Sequence, residues 1–341
     1  MCGTSLDGLD LAYCSFRQTQ GKWQFECVHT DEIELPIELR TKLQNATNST
    51  AQELAQLDIE VGHFFGKETN DFIEKNKIKP DYIASHGVTI FHQPDQGITL
   101  QIGSGAVIAS ETNVTTVCDF RSQDVAKGGQ GAPLVPYPDQ LLFSDFDATL
   151  NLGGFANLAV IQNESLSGFD VCVCNKALND LTQQLNGSPF DANGDYSRKG
   201  SINQRFLDEL NDLAFYIAPP PKSLGHEWYV EHILPLLAKP IPTEDKLRTM
   251  VEHIAQQIGN VFPKSGTTLV TGGGANNRYL IERIEKNISG NITIPDRQIV
   301  DFKEAIDFAF LGALRLQNLT NIKASVTGAN SDSIAGCIYQ P

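Results

Sequence analysis

The chain has no run of about 20 apolar residues, the length a helix needs to cross a bilayer, so no membrane partner is expected. Its first residues, Met1-Cys2-Gly3-Thr4-Ser5-Leu6-Asp7, lack the basic and apolar segments of a secretory signal. Basic residues are scarce: 26 Lys and Arg against 41 Asp and Glu leave a net charge of −15. That balance disfavours a nucleic acid partner, because binding a phosphate backbone relies on Lys and Arg to release counterions. It leaves room for a small phosphorylated ligand, which backbone N–H groups can hold. The 7 cysteines are scattered and odd in number, which excludes a disulfide framework and suits a reducing, cytoplasmic setting. Cys172 and Cys174 form a C-x-C pair, yet no second Cys/His pair lies nearby, and a zinc site is not expected. Neither a G-x-x-x-x-G-K-[ST] segment nor a G-x-G-x-x-G after a strand occurs. The first absence excludes a Walker P-loop and the second counts against a Rossmann dehydrogenase.

What remains is a globular composition, 41% hydrophobic and 20% charged over 341 residues, long enough for two domains. Leu9–Phe16 and Trp23–Thr30 read as strands joined across Thr19-Gln20-Gly21-Lys22. Residues 51–75 carry Leu54, Leu57, Val61, Phe64, Phe65 and Phe72 at helical spacing. Short strands follow at 82–85, 100–103 and 114–120, with a helix near 104–112. Residues 121–136 (RSQDVAKGGQGAPLVP) read as a long functional loop leading to a helix through Leu141-Leu142-Phe143. A second strand–glycine turn–strand then spans 148–161. Helices are expected at 175–186, 201–214, 228–237, 244–260, 277–286 and 303–317, with a strand at 269–271. Alternating strands and helices with two similar hairpin starts predict an α/β architecture of two related lobes. The first lobe is placed at 1–127 with about 311–341, the second at 128–310.

Three glycine-rich segments carry the chemistry. Gly3-Thr4-Ser5-Leu6-Asp7-Gly8-Leu9-Asp10 offers N–H and O–H donors to phosphate oxygens, and its aspartates make sense if Mg²⁺ lies between carboxylate and phosphate. A plain Asp-Gly hairpin turn is the alternative. Gly153-Gly154, inside Asn151-Leu152-Gly153-Gly154-Phe155, lets backbone approach a ligand or simply makes a tight turn or bulge. Gly272-Gly273-Gly274 follows an apolar strand and precedes a helix, so a base can lie on it or a phosphate can sit at the helix N-terminus. Two hairpins that clamp a triphosphate and a later glycine run for the base make up the logic of the actin-like ATPase (ribonuclease H-like) fold, with nucleotide and sugar in the inter-lobe cleft.

In order along the chain, G-T-S-L-D-G-L-D (3–10), S-H-G-V-T-I-F-H-Q-P (85–94), L-Q-I-G (100–103) and D-F-R-S-Q-D-V-A-K-G-G-Q-G-A-P-L-V-P (119–136) resemble the anhydro-N-acetylmuramic acid kinase family. So do L-N-L-G-G-F-A-N-L (150–158), P-K-S-L-G (221–225), G-G-G-A-N-N (272–277), E-A-I-D-F-A-F (304–310) and S-V-T-G-A (325–329). The resemblance implies hydrolytic opening of a 1,6-anhydro ring with phosphorylation at O6, using ATP, Mg²⁺ and water, in cell-wall recycling. It implies an amino sugar as small-molecule partner and allows a homodimer. The family's G-[FY]-D-x-G-P-x-N segment matches Gly168-Phe169-Asp170-Val171-Cys172-Val173-Cys174-Asn175, which makes Asp170 the candidate general base. Cys172-Val173 replaces Gly-Pro there, so the backbone presenting Asp170 is expected to differ.

His86, Asp119, Arg121, Gln130, Asn175 and Glu304 are candidates for binding the sugar. Arg121 suits a lactyl carboxylate through its planar fork, or else a lobe-linking salt bridge. Glu304 is expected to open the last helix, where its charge suits the positive end. No protein cage for a metal is expected; Mg²⁺ arrives with ATP, with Asp7 as a contact. Lys222 and Ser223 are assigned no chemistry. Family members carry a further strand before G-T-S-L-D-G, and only Met1-Cys2 stand there in this sequence, so a sheet partner is expected to be missing and ATP affinity to be weak. A non-catalytic nucleotide-binding sensor of the same fold, or a kinase of a related sugar, is the alternative function.

Overall fold

The computed structural model describes residues 1–3, 6, 8–161, 166–220 and 222–341. The architecture is α/β, as the alternation of elements predicts, and the chain divides into two compact units, Met1–Phe143 with Phe302–Pro341, and Ser144–Asp301. The lobe boundaries set out above, 127/128 and 310/311, fall 16 and 9 residues from these. The reason for the first lies in the 121–136 segment. Gln130 N–H donates to Thr327 O (2.8 Å), and Asp124, fully buried, accepts from Gly131 N–H (2.8 Å) and Thr327 Oγ1 (2.7 Å). These bonds tie the segment to the C-terminal part of the same unit.

In the first unit β1 (Gly8–Thr19) and β2 (Lys22–Glu34) pair antiparallel in a sheet of two. Gln20 and Gly21 both have positive φ (52° and 82°), the geometry that lets a two-residue turn follow the right-handed twist of its strands. Met1 and Asp10 exchange two bonds: the terminal ammonium donates to Asp10 O (2.7 Å), and Asp10 N–H donates to Met1 O (2.8 Å). Helix α1 (Ile37–Asn45) precedes α2 (Ala51–Asn76), which starts in a reciprocal Thr50–Glu53 capping box and buries Leu57, Val61, Phe65 and Phe72 of the apolar set.

Strand β3 (Ile83–Ser85) leads to a hairpin of β4 (Val88–Gln93) and β5 (Ile98–Ile102). Only the end of this hairpin was expected, because a register shift between Thr89 and Phe91 breaks the period-two pattern. Helix α3 (Gly105–Thr112) and β6 (Thr116–Cys118) follow. The segment read as a loop at 121–136 holds a short helix, α4 (Ser122–Ala126), and gives way to α5 at Pro136–Leu142. Proline opens α5, where its missing N–H costs nothing.

The second unit holds a five-stranded sheet in the order β11-β10-β7-β8-β9. Its strands are β7 (Ala148–Leu152), β8 (Phe155–Val160), β9 (Ser167–Val173), β10 (Thr267–Thr271) and β11 (Asn291–Thr293). Ala148, Leu150 and Leu152 have no solvent exposure (0%) and Thr149 has 3%, so β7 is covered on both faces between parallel β10 and antiparallel β8. Around the sheet stand α6 (Asn175–Asn186), α7 (Gln204–Asn211), α8 (Thr243–Val261) and α9 (Arg278–Glu285). The helix expected at 201–214 stops at Asn211, and the one expected at 228–237 forms within a continuous helical run of His226–Trp228, a π-helical Tyr229–Ile233 and Leu234–Leu237.

The last long helix, α10 (Arg297–Leu316), begins six residues earlier than expected, with Asp296 O accepting from Ile299 and Val300 N–H. Glu304 therefore stands exposed in the helix interior and does not open it. Strand β12 (Cys337–Tyr339) closes a three-stranded sheet, β12-β6-β3.

One buried ion cluster anchors α10 within the first unit. Lys303 pairs with Asp139 and with Asp307 (2.8 Å), all three nearly inaccessible. Burial opposes the lysine's charge, yet the two carboxylates outweigh it and hold its pKa above the usual range. Removing the cation takes the countercharge from two buried carboxylates. We predict that Lys303→Ala lowers unfolding free energy by about 3–5 kcal/mol, while exposed Glu304→Ala stays within about 0.5 kcal/mol, both measured by urea denaturation.

Candidate active site

The parallel register of β7 and β10 sets Leu150 beside Val270 and Asn151 beside Thr271. Both strands thus end together, and the two glycine segments that follow them meet at one end of the sheet. Carboxyl ends of parallel strands are where α/β proteins place ligands. Asn175, at the start of α6, joins them: its N–H donates to Gly153 O (3.1 Å) and its Nδ2 donates to Leu152 O (2.7 Å). Gly154 O accepts from Cys174 N–H (2.9 Å) and Lys176 N–H (3.2 Å), which fixes the turn against the helix N-terminus. Lys176 escaped sequence reasoning; its cation lies over the Tyr229 ring (4.8 Å) beside that turn.

The glycines divide into two kinds. A Cβ on Gly272 would meet Asn151 Oδ1 at 2.4 Å, and one on Gly274 would meet Leu152 Cβ at 2.7 Å. These two glycines serve the protein's own packing. Gly154 and Gly273 are exposed, and a Cβ there would meet nothing closer than Lys176 Cβ (3.9 Å) and Asn175 Nδ2 (3.7 Å) respectively. Their bare backbone flanks Asn175 and faces outward, which is what an approaching ligand needs.

Asp170 lies inside β9, paired with Asn157 next to a bulge that inserts Val171 between the Ala156–Cys172 and Asn157–Asp170 pairs. Bulges re-aim side chains. Cys172 and Val173, which stand for Gly-Pro, are fully buried and carry the strand up to α6. The 222–224 stretch pairs with Asp170: its N–H donates to Lys222 O (3.0 Å), and Leu224 N–H donates to its Oδ2 (2.7 Å). Burial pushes the carboxyl up to about 6, against the lowering effect of the Leu224 bond. The P-K-S-L-G motif was the signal for this contact, although Pro221 itself lies outside the described residues.

The first unit gathers most of the remaining candidates. Neutral His86 donates from Nδ1 to Gly87 O (2.9 Å) and accepts at Nε2 from Arg121 Nε (3.1 Å) and Nη2 (2.9 Å). Burial, then the Arg121 charge, lowers its pKa to about 3, so it stays an acceptor at neutral pH. Arg121 also donates through Nη1 to Gly131 O (2.6 Å); burial lowers its pKa to about 10, opposed by Glu304. Asp119 has φ of 57°, a left-handed conformation that a short polar side chain tolerates, and caps Ser122 N–H (3.2 Å). Gln130 is exposed beside this cluster. Of the first glycine segment, Gly3, Leu6, Gly8, Leu9 and Asp10 are described, with Leu6 in a left-handed turn (φ 55°) whose N–H donates to Gly3 O (3.1 Å). Thr4, Ser5 and Asp7 lie outside the described residues. Among the described residues no three His, Cys, Asp or Glu side chains gather as a metal cage, and no helix is long and apolar enough to cross a membrane.

The fold is of the α/β class. The family profile of anhydro-N-acetylmuramic acid kinase matches residues 1–341. A protein of that name from Sulfurimonas denitrificans is 34% identical over 366 residues, covering 100% of this chain and 98% of its own. Another from Pasteurella multocida is 34% identical over 370 residues, covering 99% and 95%. A solved activator of 2-hydroxyisocaproyl-CoA dehydratase from Clostridium difficile, with bound ADPNP, is 14% identical with a TM-score of 0.35, covering 65% of this chain and 87% of that one, too distant to carry an argument. The chain belongs to the anhydro-N-acetylmuramic acid kinase family, whose members are phosphotransferases with an alcohol acceptor.

The two kinds of glycine differ in what an added side chain would meet. We predict that Gly274→Ala loses about 1–3 kcal/mol of stability through overpacking. Gly273→Ala leaves the thermal midpoint unchanged and weakens ATP about tenfold, a loss of about 1.4 kcal/mol in calorimetry.

Proposed function

We propose that this protein phosphorylates 1,6-anhydro-N-acetylmuramic acid at O6 with ATP while water opens the anhydro ring, giving N-acetylmuramic acid 6-phosphate in cytoplasmic cell-wall recycling. The full-length family match carries this reading. Asp170 takes a proton from water, the water oxygen bonds to C1, and the C1–O6 bond breaks. The released O6 bonds to the γ-phosphorus as ADP departs. A base must be ionised before the reaction and able to hold a proton during it. A carboxyl pushed up to about 6 meets both needs near neutral pH.

In the second unit the exposed backbone at Gly154 and Gly273 and the N-terminus of α6 are proposed phosphate contacts; in the first unit the segment Gly3 to Asp10 is proposed as one in its own right. Anions sit well at helix N-termini, and Lys176 adds a cation beside the turn. In this reading Asp7 would hold the Mg²⁺ that arrives with the nucleotide, and the ion would supply neutralisation of phosphate charge. A carbohydrate-bound carboxylate is the proposed partner of Arg121. His86 holds that guanidinium in place without competing for it as an anion would. Asp119, Gln130 and Asn175 supply further polar contacts in the same reading, and Glu304 reaches substrate through its helix-interior position.

Turnover is followed by coupled ADP release, with mass analysis for gain of both water and phosphate. Asp170→Asn is expected to lose about 10²–10⁴-fold in kcat; near-normal turnover would refute the base assignment. Because the base must be deprotonated, the wild-type rate falls as pH drops through about 6, and this limb should vanish from the residual activity of the variant. Chelation of Mg²⁺ should abolish ADP release and its return restore it.

A further inference from the structure

Four of the seven cysteines face one another across antiparallel strands. Cys118 on β6 is the direct register partner of Cys337 on β12, and Cys14 on β1 is that of Cys27 on β2. All are free thiols. Directly opposed residues in such a ladder have Cα atoms about 4.5–5.5 Å apart and side chains on one face. A disulfide spans Cα separations of about 4.4–6.8 Å, so neither pair needs backbone movement to close. The pairs differ in access. Cys337 is exposed, whereas Cys14 and Cys27 are both partly covered.

We propose that Cys118 and Cys337 form a redox-active dithiol, a modification site that takes a two-electron thiol oxidant such as a small-molecule disulfide. The Cys337 thiolate attacks one sulfur of oxidised glutathione and releases one glutathione thiolate, giving a mixed disulfide. The Cys118 sulfur, losing its proton to solvent, then attacks the Cys337 sulfur and expels the second glutathione. Two protein thiols are oxidised and one glutathione disulfide is reduced to two thiols, so atoms and electrons balance.

The order of attack follows from exposure: Cys337 meets solvent and Cys118 is partly covered, while burial raises both thiols, Cys118 up to about 12. The Cys118 sulfur lies against Gly105, where a Cβ would come within 2.5 Å of it. Glycine there leaves the room the sulfur occupies. Closure fastens the C-terminal strand to the sheet one residue before Asp119, whose Oδ2 the Cys337 thiol faces at 3.9 Å. The bond thus forms beside Asp119 and Arg121 without using either.

The purified full chain is equilibrated with glutathione redox buffers, quenched by acid, alkylated and mass-mapped. The expected result is a loss of about 2 Da, from the two thiol hydrogens, with a tryptic pair linking Cys118 to Cys337. Reduction reverses it, and it survives in Cys14→Ser but not in Cys118→Ser or Cys337→Ser. In Cys118→Ser the glutathione adduct on Cys337 should persist, because the resolving thiol is gone; this readout needs no activity. Four outcomes overturn the proposal: no change at the most oxidising poise, a lasting glutathione adduct on wild-type Cys337, a Cys14–Cys27 link alone, or disulfide-linked dimers alone.

Discussion

The parallel pairing of β7 with β10 is the constraint on which the second unit depends. It joins residues 148–152 to residues 267–271, and its register sets both strand ends at one level. Gly153-Gly154 and Gly272-Gly273-Gly274 then meet, and Asn175 links the turn after β7 to the start of α6. A slip of one residue would exchange the two faces of β7, setting Thr149 and Asn151 where Leu150 and Leu152 pack. Three residues of β7 with no exposure make that slip prohibitive, so the core fixes where the glycines lie.

Within that frame the glycines have distinct tasks. Gly272 and Gly274 let the loop after β10 lie against Asn151 and Leu152; Gly154 and Gly273 keep backbone bare. A similar division holds in the first unit. Asp124 ties the Gly129–Gly131 loop internally, while His86 and the Gly131 carbonyl hold Arg121. Both hydrogen-bond partners of the guanidinium are neutral acceptors, and the Glu304 carboxylate supports its charge.

Much of this was legible in the residues. The apolar spacing of α2, the Gln20-Gly21 turn and the β7–β8 turn follow local rules, because their contacts join near neighbours. The β4–β5 hairpin was half hidden by a bulge at Ile90, and the start of α10 by reading its N-terminus at Lys303 when Pro295-Asp296 marks it. The Asp170 carboxylate could be named from its motif. The bulge that aims it and the Leu224 N–H that holds it could not, since they depend on partners 13 and 54 residues away.

The sequence by itself determined the α/β class, the family, the glycine segments and the identity of the candidate base. Each of these rests on residue type, order or short-range periodicity. Only the tertiary structure decided which glycines pack and which stay bare, that Glu304 lies in a helix interior, and that Cys118 faces Cys337. These depend on strand register and on which distant backbone covers a side chain, and burial, through desolvation, sets the proton affinity of Asp170 and His86.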